Sequence, residues 1–229
     1  HWGRKPGRGT SLWDVAGDRI MEHAARLASE LTGQLLTGYK NNSDGKGVSY
    51  GTHENYQVSR ATPFRDLVRH LTPFFVTRCV FAGAGRVGIG QEGRVHGFQI
   101  SQRADFFEAE IGLETTLKRP IVNTRDEPHA DPDRYRRLHV IVGDANLCEV
   151  ATFLKIGTTA LVLRMLEDGA APFLALDAPV AALHAVSRDL TCRAALAMTD
   201  GPRRTAIEVQ WEYLERARTY VAAEGAVGH

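Results

Sequence analysis

Residues 49–56, with the sequence SYGTHENY, place a histidine, an acid, an amide and two tyrosines within eight positions. If this segment is extended, alternation puts His53 and Asn55 on one face and Glu54 on the other. A neutral imidazole ligates divalent metals, and an amide both donates and accepts hydrogen bonds. The segment follows a polar, glycine-containing loop, and loops are where binding residues concentrate. A capped turn uses the same residue types, so the pattern alone leaves a binding site and a turn open.

The densest polar stretch is residues 124–146, with the sequence TRDEPHADPDRYRRLHVIVGDAN. Its charges alternate in sign, and it leads into a strand-like segment in which Arg137 and His139 share a face. Arginine binds phosphate oxygens through two parallel hydrogen bonds, and imidazole binds divalent cations. The pattern therefore favours a nucleoside triphosphate site over a solvated, salt-bridged loop. Magnesium prefers oxygen ligands, so carboxylates are also required, and these need not lie in this chain.

Residues 83–88, with the sequence GAGRVG, match the dinucleotide-binding pattern GxGxxG. That pattern requires a strand before it, a helix after it and an acidic residue about 20 positions further on. Here the segment follows a predicted helix, and more turn residues come next. We therefore predict a glycine-rich turn.

The composition narrows the class of protein. The 229 residues carry a formal net charge of +1, with 43% hydrophobic and 24% charged residues. Nucleic-acid-binding proteins need a surplus of Lys and Arg, and no apolar run approaches the roughly 20 residues of a membrane span. The three cysteines are widely spaced and predict neither a disulfide framework nor a thiolate zinc site. We expect a cytoplasmic protein that binds neither nucleic acid nor membranes.

Hydrophobic periodicity and turn residues predict an α+β protein, either one domain or a large piece of one. Strands are predicted at residues 34–40, 98–102, 121–124 and 139–142. Helices are predicted at residues 11–31, 64–81 with a break at Pro73, 147–166 after a capping box formed by Asn146 and Glu149, and at the C-terminus. One face of the first helix carries the apolar residues Trp13, Ala16, Ile20, Ala24, Leu27 and Leu31, and the last helix carries the apolar stripe Ile207, Trp211, Leu214, Ala217 and Val221.

Four polar segments together resemble the enzymes that process Pup, the prokaryotic ubiquitin-like protein. They are KNNSDGKGVSYGTHENY (40–56), GFQISQRADFFE (97–108), GLETTLKRPIVNTRDEPHADPDRYRRLHVIVGDAN (112–146) and LKIGTTALVL (154–163). The resemblance covers about residues 11–222. These enzymes belong to the glutamine synthetase and glutamate-cysteine ligase group, which implies a glutamine synthetase-like antiparallel sheet packed with helices.

Two segments, DGKGVSYGTHENY (44–56) and GLETTLKRPI (112–121), resemble the deamidase branch of this family. The ligase branch would be expected to have a cysteine where Thr52 stands. The resemblance implies an ATP- and magnesium-dependent hydrolase that deamidates the C-terminal glutamine of Pup and cleaves the Pup–lysine isopeptide bond. A Pup–protein ligase of the same fold and a non-catalytic remnant are the alternatives. The implied partners are Pup and pupylated proteins, with a functional link to the bacterial proteasome.

The resemblance also implies roles for individual residues. Its cofactors would be Mg²⁺ and ATP, or ADP plus phosphate. The implied positions are His53 and His139 for magnesium, Asn55 and Arg137 for ATP, Arg103 and Arg125 for nucleotide and substrate, and His129 for a structural role. If these assignments are right, the two magnesium-contacting imidazoles must converge in the fold.

By the same resemblance we expect the chain to be incomplete. Residues 1–10 match nothing in the family, and residues 11–229 correspond to part of the large catalytic domain that binds ATP and magnesium. The N-terminal strands and the C-terminal small domain are expected to be absent. The nucleophilic aspartate is expected upstream of His1, so no catalytic residue is assigned within the chain. We expect this chain alone to be inactive and marginally stable.

Overall fold

The computed structural model describes residues 6–128, 130–199 and 201–227, and His129 therefore lies outside the described residues. The helices in these ranges are α1 (Pro6–Thr32), α2 (Phe64–Thr77), α3 (Cys79–Ala82), α4 (Glu149–Glu167), α5 (Pro179–Arg188) and α6 (Ala206–Val227). The strands are β1 (Glu54–Ser59), β2 (Arg86–Ile89), β3 (Val95–Gln99), β4 (Phe107–Gly112), β5 (Arg119–Asn123) and β6 (Tyr135–Val140). The predicted α+β class is confirmed.

The strands of the described residues form three separate pairs. Strand β1 pairs antiparallel with β6, and β2 pairs antiparallel with β3. Strand β4 pairs with β5 in parallel orientation. Two of these pairs have the expected antiparallel orientation, whereas the separation into pairs and the parallel β4–β5 pair were not expected. Alternation along a strand indicates which face is buried, but it does not indicate which strand is the neighbour or in which direction that neighbour runs.

Helix α2 lies at the centre of the hydrophobic core. Its side chains Leu67, Leu71, Phe74 and Phe75 are almost completely buried, and the helix packs against α4, α5, α6 and β5. The buried positions recur at spacings of three and four, so one broad stripe of the helix contacts neighbours on several sides. Strand β6 packs against the same core through its buried residues Leu138 and Val140. This packing fixes the strand that bears the candidate site.

Several predicted elements have other boundaries. Residues 34–40 form no strand, and the glycine-rich turn at residues 83–85 is followed by β2. Helix α2 continues through Pro73 and ends at Thr77, and Arg78 separates it from α3. Burial of the surrounding apolar residues outweighs the one backbone hydrogen bond that proline removes. The predicted strands at 98–102 and 139–142 lie about three residues too late along the chain, since β3 ends at Gln99 and β6 at Val140.

The predicted capping box does not form. Helix α4 begins at Glu149 with Cys148 as its N-cap, and that cap makes no side-chain hydrogen bond. The Asn146 amide nitrogen instead donates to the carbonyl of Ala82 at 2.9 Å. A longer-range contact of the amide side chain has replaced the local one that the sequence pattern favours.

The predicted apolar stripes of α1 and α6 are largely exposed. In α1, Trp13 is 72% exposed and Leu31 is 87% exposed. In α6, Trp211 is 59% exposed, whereas Val209 and Tyr213 on another face are buried. Helical spacing identifies an apolar face correctly, but α6 carries two such faces, and the packing against α2 selects the one that contains Tyr213.

A buried ion pair joins β1 to the helical core. The Arg78 guanidinium donates to both carboxylate oxygens of Glu54, at 2.9 and 2.5 Å, and the two side chains are 3% and 0% exposed. The Tyr56 hydroxyl donates to the same carboxylate at 2.6 Å, and Arg78 also donates to Thr159 at 2.9 Å. Both carboxylate oxygens of Glu54 thus accept hydrogen bonds, as burial of a charged pair requires.

No helix in the described residues combines the length and the apolar character that crossing a bilayer would require.

The first testable prediction concerns the buried ion pair between Glu54 and Arg78. Glu54→Gln should lower the free energy of unfolding by about 3–5 kcal/mol, because it leaves the Arg78 charge buried without compensation. Urea denaturation followed by circular dichroism measures this change. The double variant Glu54→Leu/Arg78→Met removes both charges and should be more stable than the single variant.

The matched control is Glu92→Gln, because Glu92 and Arg94 form an ion pair of 2.6 Å on the surface. That substitution should change the free energy of unfolding by no more than about 0.5 kcal/mol. A similar small change for Glu54→Gln would contradict the role of the buried pair.

Candidate active site

The register of β1 and β6 brings the predicted residues together. Asn55 lies directly opposite His139 in the antiparallel pair, and its side-chain oxygen is 2.9 Å from Nδ1 of His139. The ring centroids of His53 and His139 are 5.1 Å apart, with the rings in an edge-to-face arrangement. His139 lies 84 positions after Asn55 and 86 after His53 in the sequence, so the convergence that the resemblance required is present.

The same contact defines the proton position on His139. Arg137 approaches the same Asn55 oxygen with Nη1 at 3.4 Å. Because a guanidinium only donates hydrogen bonds, the amide atom facing it must be the acceptor oxygen. In this orientation of the Asn55 amide, Nδ1 of His139 is protonated and its N–H donates a hydrogen bond to the Asn55 oxygen. The other ring nitrogen, Nε2, then retains its lone pair and is the metal-ligating atom.

Both imidazoles are held neutral. Burial, followed by the charges of His53, Arg137 and Arg125, lowers the pKa of His139 from 6.5 to about 4. The pKa of His53 is also lowered, first by burial and then by the positive charges of Arg103, Arg119 and Arg125. Neutral imidazole is the form that binds metals. The surrounding guanidinium groups disfavour a further positive charge and favour an anion.

The arginines of the site differ in accessibility. The side chain of Arg137 is 19% exposed and pairs with Glu127 at 2.7 Å. Arg125 is exposed, and its side chain makes no hydrogen bond or ion pair with the described residues, although its charge acts on both imidazoles. These two guanidinium groups are the ones placed to receive an anionic ligand.

Arg103 lies beneath the site and is completely buried. Its guanidinium donates to the Ser49 hydroxyl and the Gly143 carbonyl, each at 2.9 Å, and also to the Ile141 carbonyl. Gly51, with a φ of 77°, passes directly over it, and a Cβ there would lie 2.3 Å from the guanidinium. The structure therefore does not place Arg103 where a bound nucleotide could touch it. It holds the loop that leads to His53.

A second buried polar group supports the end of β6. The carboxylate of Asp144 accepts from the Ser101 hydroxyl at 2.8 Å and from the backbone N–H groups of Ala84 and Gln102 at 2.8 and 2.9 Å. Lys155 is 1% exposed and donates to the Asp144 carbonyl at 2.5 Å. Burial lowers the pKa of Lys155 to about 8. The loop after β6 is thus held from both sides.

Within the described residues, no group of three or more His, Cys, Asp or Glu side chains is arranged to hold a metal ion. His53 and His139 supply two nitrogen donors, and the carboxylates of Glu54 and Glu127 are engaged by Arg78 and Arg137. The two imidazoles suit one side of a divalent cation. A magnesium ion would take its oxygen ligands from groups outside this set.

One protein family matches almost the whole length of the chain. The family described as Pup-ligase protein matches residues 8–228. The chain belongs to the Pup-ligase family.

Curated relatives within this family carry two kinds of name. The chain is 65% identical over 219 residues to a depupylase of Acidothermus cellulolyticus, covering 93% of this chain and 43% of that protein. It is 57% identical over 216 residues to a Pup deamidase/depupylase of Mycobacterium tuberculosis, covering 92% and 43%. Identity is 48% over 218 residues to a Pup–protein ligase of Micrococcus luteus, covering 91% and 46%. The chain spans less than half the length of these relatives.

A solved structure supports the same fold. The Pup ligase PafA in complex with ADP matches with a TM-score of 0.81 and 42% identity, over 93% of this chain and 48% of that one. The complex between Pup and its ligase PafA matches with a TM-score of 0.77 and 40% identity, over 93% and 43%. The arrangement of the Pup-ligase family is therefore present in this chain.

Sequence patterns did not reveal the residues that support the site. Glu54 was expected only to face away from His53, and its partner Arg78 lies in a predicted helix with no visible link to it. Asp144 and Lys155 were not selected, because their role depends on contacts between distant segments. Glu127 belongs to the alternating charge run, so a signal was present, but the run does not say which acid meets which arginine.

The second testable prediction follows from the lowered pKa of His139. An unfolded histidine has a pKa of about 6.5, whereas the folded value is about 4. Between these values the unfolded chain binds the proton more tightly, so the free energy of unfolding should fall as the pH falls from about 6.5 to about 4. Urea denaturation at pH 7, 5.5 and 4.5 measures this change. His139→Gln should remove part of the fall.

The control is His96→Gln, since His96 is an exposed histidine on β3. It should leave the pH dependence of the unmodified chain unchanged. If His139→Gln and His96→Gln alter the pH dependence equally, His139 is not the group responsible.

Proposed function

We propose that this chain forms the nucleotide- and magnesium-binding part of an amide hydrolase that acts on Pup. The hydrolase deamidates the C-terminal glutamine of Pup and cleaves the isopeptide bond between Pup and a lysine. The observation that carries the proposal is the convergence of His53, His139, Asn55 and Arg137 on one face of the β1–β6 pair. This arrangement occurs in a chain that is 65% identical to a depupylase.

The nucleotide site rests on Arg125, which is exposed, and on Arg137, which is partly exposed. Guanidinium groups bind phosphate oxygens with charge-assisted hydrogen bonds, and Arg137 and Arg125 are the accessible ones beside the imidazoles. A similar protein, the Pup ligase PafA, has been solved in complex with ADP. We therefore assign Arg137 and Arg125 to the phosphates of ATP, or of ADP plus phosphate, and Asn55 to the edge of the same site.

The magnesium site rests on the two neutral imidazoles. His53 and His139 would hold one side of the ion, and when bound the ion would withdraw charge from phosphate and amide oxygens. Carboxylates from outside the described residues would complete its coordination. Asn55 keeps the metal-binding nitrogen of His139 unprotonated, and Arg103 keeps the loop before His53 in place. An aspartate outside this chain remains our proposed nucleophile or base.

The hydrolase is favoured over the ligase by the names of the similar proteins. Relatives at 57–65% identity are named depupylase or Pup deamidase/depupylase, whereas those named Pup–protein ligase are 46–48% identical. Pup and pupylated proteins are accordingly the proposed partners. A cytoplasmic location and a functional link to the bacterial proteasome follow from that partner and belong to the same proposal.

The third testable prediction concerns nucleotide binding. Arg137→Gln should weaken the affinity for ADP in the presence of Mg²⁺ by about 10- to 100-fold, because it removes a charged donor from the phosphates. Isothermal titration calorimetry measures the dissociation constant. Arg94→Gln, on an exposed side chain of the β2–β3 turn, is the control and should bind like the unmodified chain. Equal affinities for both variants would contradict the assignment of Arg137.

The fourth prediction tests the reaction in a complete enzyme. The aligned segment of the Acidothermus cellulolyticus depupylase is replaced by this chain, which is 65% identical to it. With ATP and Mg²⁺, the chimera should release ammonia from Pup ending in glutamine and should cleave Pup–lysine conjugates. His139→Ala in the chimera should lower both rates by about a hundredfold or more while the protein remains folded.

The same assay separates the alternatives. Attachment of Pup to lysine with consumption of ATP, and no release of ammonia, would indicate a ligase. An inert but folded chimera, with the parent enzyme active alongside, would indicate that this chain is a non-catalytic remnant.

A further inference from the structure

Glu127 forms an ion pair with Arg137, one of the two residues that we assign to the phosphates of the nucleotide. Its Oε2 atom accepts a hydrogen bond from Nη2 of Arg137 at 2.7 Å. The Glu127 side chain is 73% exposed, whereas that of Arg137 is 19% exposed. The carboxylate therefore reaches from solvent onto a guanidinium that is largely enclosed by the protein.

The guanidinium of Arg137 is otherwise poorly satisfied. Nη1 makes only a long contact with Asn55, at 3.4 Å. Nε is buried and has no hydrogen-bond partner within the described residues. An enclosed donor without a partner is unfavourable, so this side chain requires a further acceptor. Glu127 satisfies only part of the hydrogen-bonding capacity of Arg137, since it accepts from Nη2 alone.

The positive charges of Arg137 and Arg125 act on the Glu127 carboxylate, and they would act in the same way on a bound phosphate. Its pKa is lowered by a hydrogen bond from its own backbone N–H, by the hydrogen bond from Arg137 and by the positive charges of Arg137 and Arg125. A carboxylate and a phosphate present similar oxygen acceptors to a guanidinium, and the phosphate carries the larger charge. The Glu127 carboxylate thus occupies an anion position on Arg137, and the charge of Arg125 also acts on it.

The backbone that carries Glu127 is anchored independently of this ion pair. The neighbouring Asp126 accepts a hydrogen bond from Arg60 at 3.0 Å, and the Arg60 backbone N–H donates to the carbonyl of Arg134 at 2.9 Å. Because Glu127 is mostly in solvent, its side chain can rotate away from Arg137 while the loop stays in place.

We propose that Glu127 competes with a nucleotide phosphate for Arg137 and thereby sets the affinity of the site for nucleotide. This inference rests on the proposed nucleotide site. Without nucleotide, the carboxylate neutralises Arg137. When nucleotide binds, a phosphate takes the Arg137 donors and the Glu127 side chain moves to solvent.

The test is the affinity of this chain for ADP with Mg²⁺, measured by calorimetry for Glu127→Gln. This substitution keeps the size of the side chain and removes its charge. The dissociation constant should decrease about two- to fivefold, as expected when an exposed competing ion pair is lost. The gain should shrink as ionic strength rises, because salt screens the competing pair.

Two controls separate competition at Arg137 from a general loss of negative charge. Glu114→Gln removes an exposed acid whose carboxylate makes no hydrogen bond or ion pair with the described residues, and it should leave the affinity unchanged. In an Arg137→Gln background, Glu127→Gln should have no effect on ADP affinity, because the two residues act through one contact.

An unchanged or weaker affinity of Glu127→Gln would overturn this inference while leaving the nucleotide site in place. A gain that persists in the Arg137→Gln background, or that Glu114→Gln reproduces, would overturn it as well. If ADP binds to no variant and not to the unmodified chain, both the nucleotide site and the competition at Arg137 are contradicted.

Discussion

The ion pair between Glu54 and Arg78 sets the position of strand β1, and the candidate site depends on that position. Side chains alternate along a strand, so holding Glu54 in the interior turns Asn55 outward. A slip of one residue would exchange the two faces and put a charged residue in solvent and an amide in the core. The pair fixes the register in which Asn55 faces His139.

From this register follows an electrostatic arrangement that suits both a metal and an anion. Asn55 orients the imidazole of His139, and burial with nearby guanidinium groups keeps it neutral. The arginines divide into two kinds. Arg103 is buried and holds the loop before His53, whereas Arg125 and Arg137 face the open side of the pair. Positive charge is therefore available to a ligand without protonating the residues that would hold a metal.

The α+β class and the residues that meet at the site could be predicted from the sequence, because polar segments with strong family resemblance carry them. The pairing of strands could not, and β4–β5 proved to be parallel. Periodicity located apolar stripes on α1 and α6, but it does not show which face the packing buries, and on α6 the buried face is the one that contains Tyr213. The structural role of Arg103 depends on its contacts with Ser49 and Gly143, which no local pattern encodes.

The central claim is that the Asn55 oxygen accepts a hydrogen bond from Nδ1–H of His139, which leaves the other ring nitrogen available to a metal. Long-range ¹H–¹⁵N correlation spectra of the ¹⁵N-labelled chain at pH 7 report the protonation of each ring nitrogen directly. We expect His139 to be neutral, with its proton on Nδ1 and an unprotonated Nε2. A proton on Nε2, or a doubly protonated ring at this pH, would contradict the account.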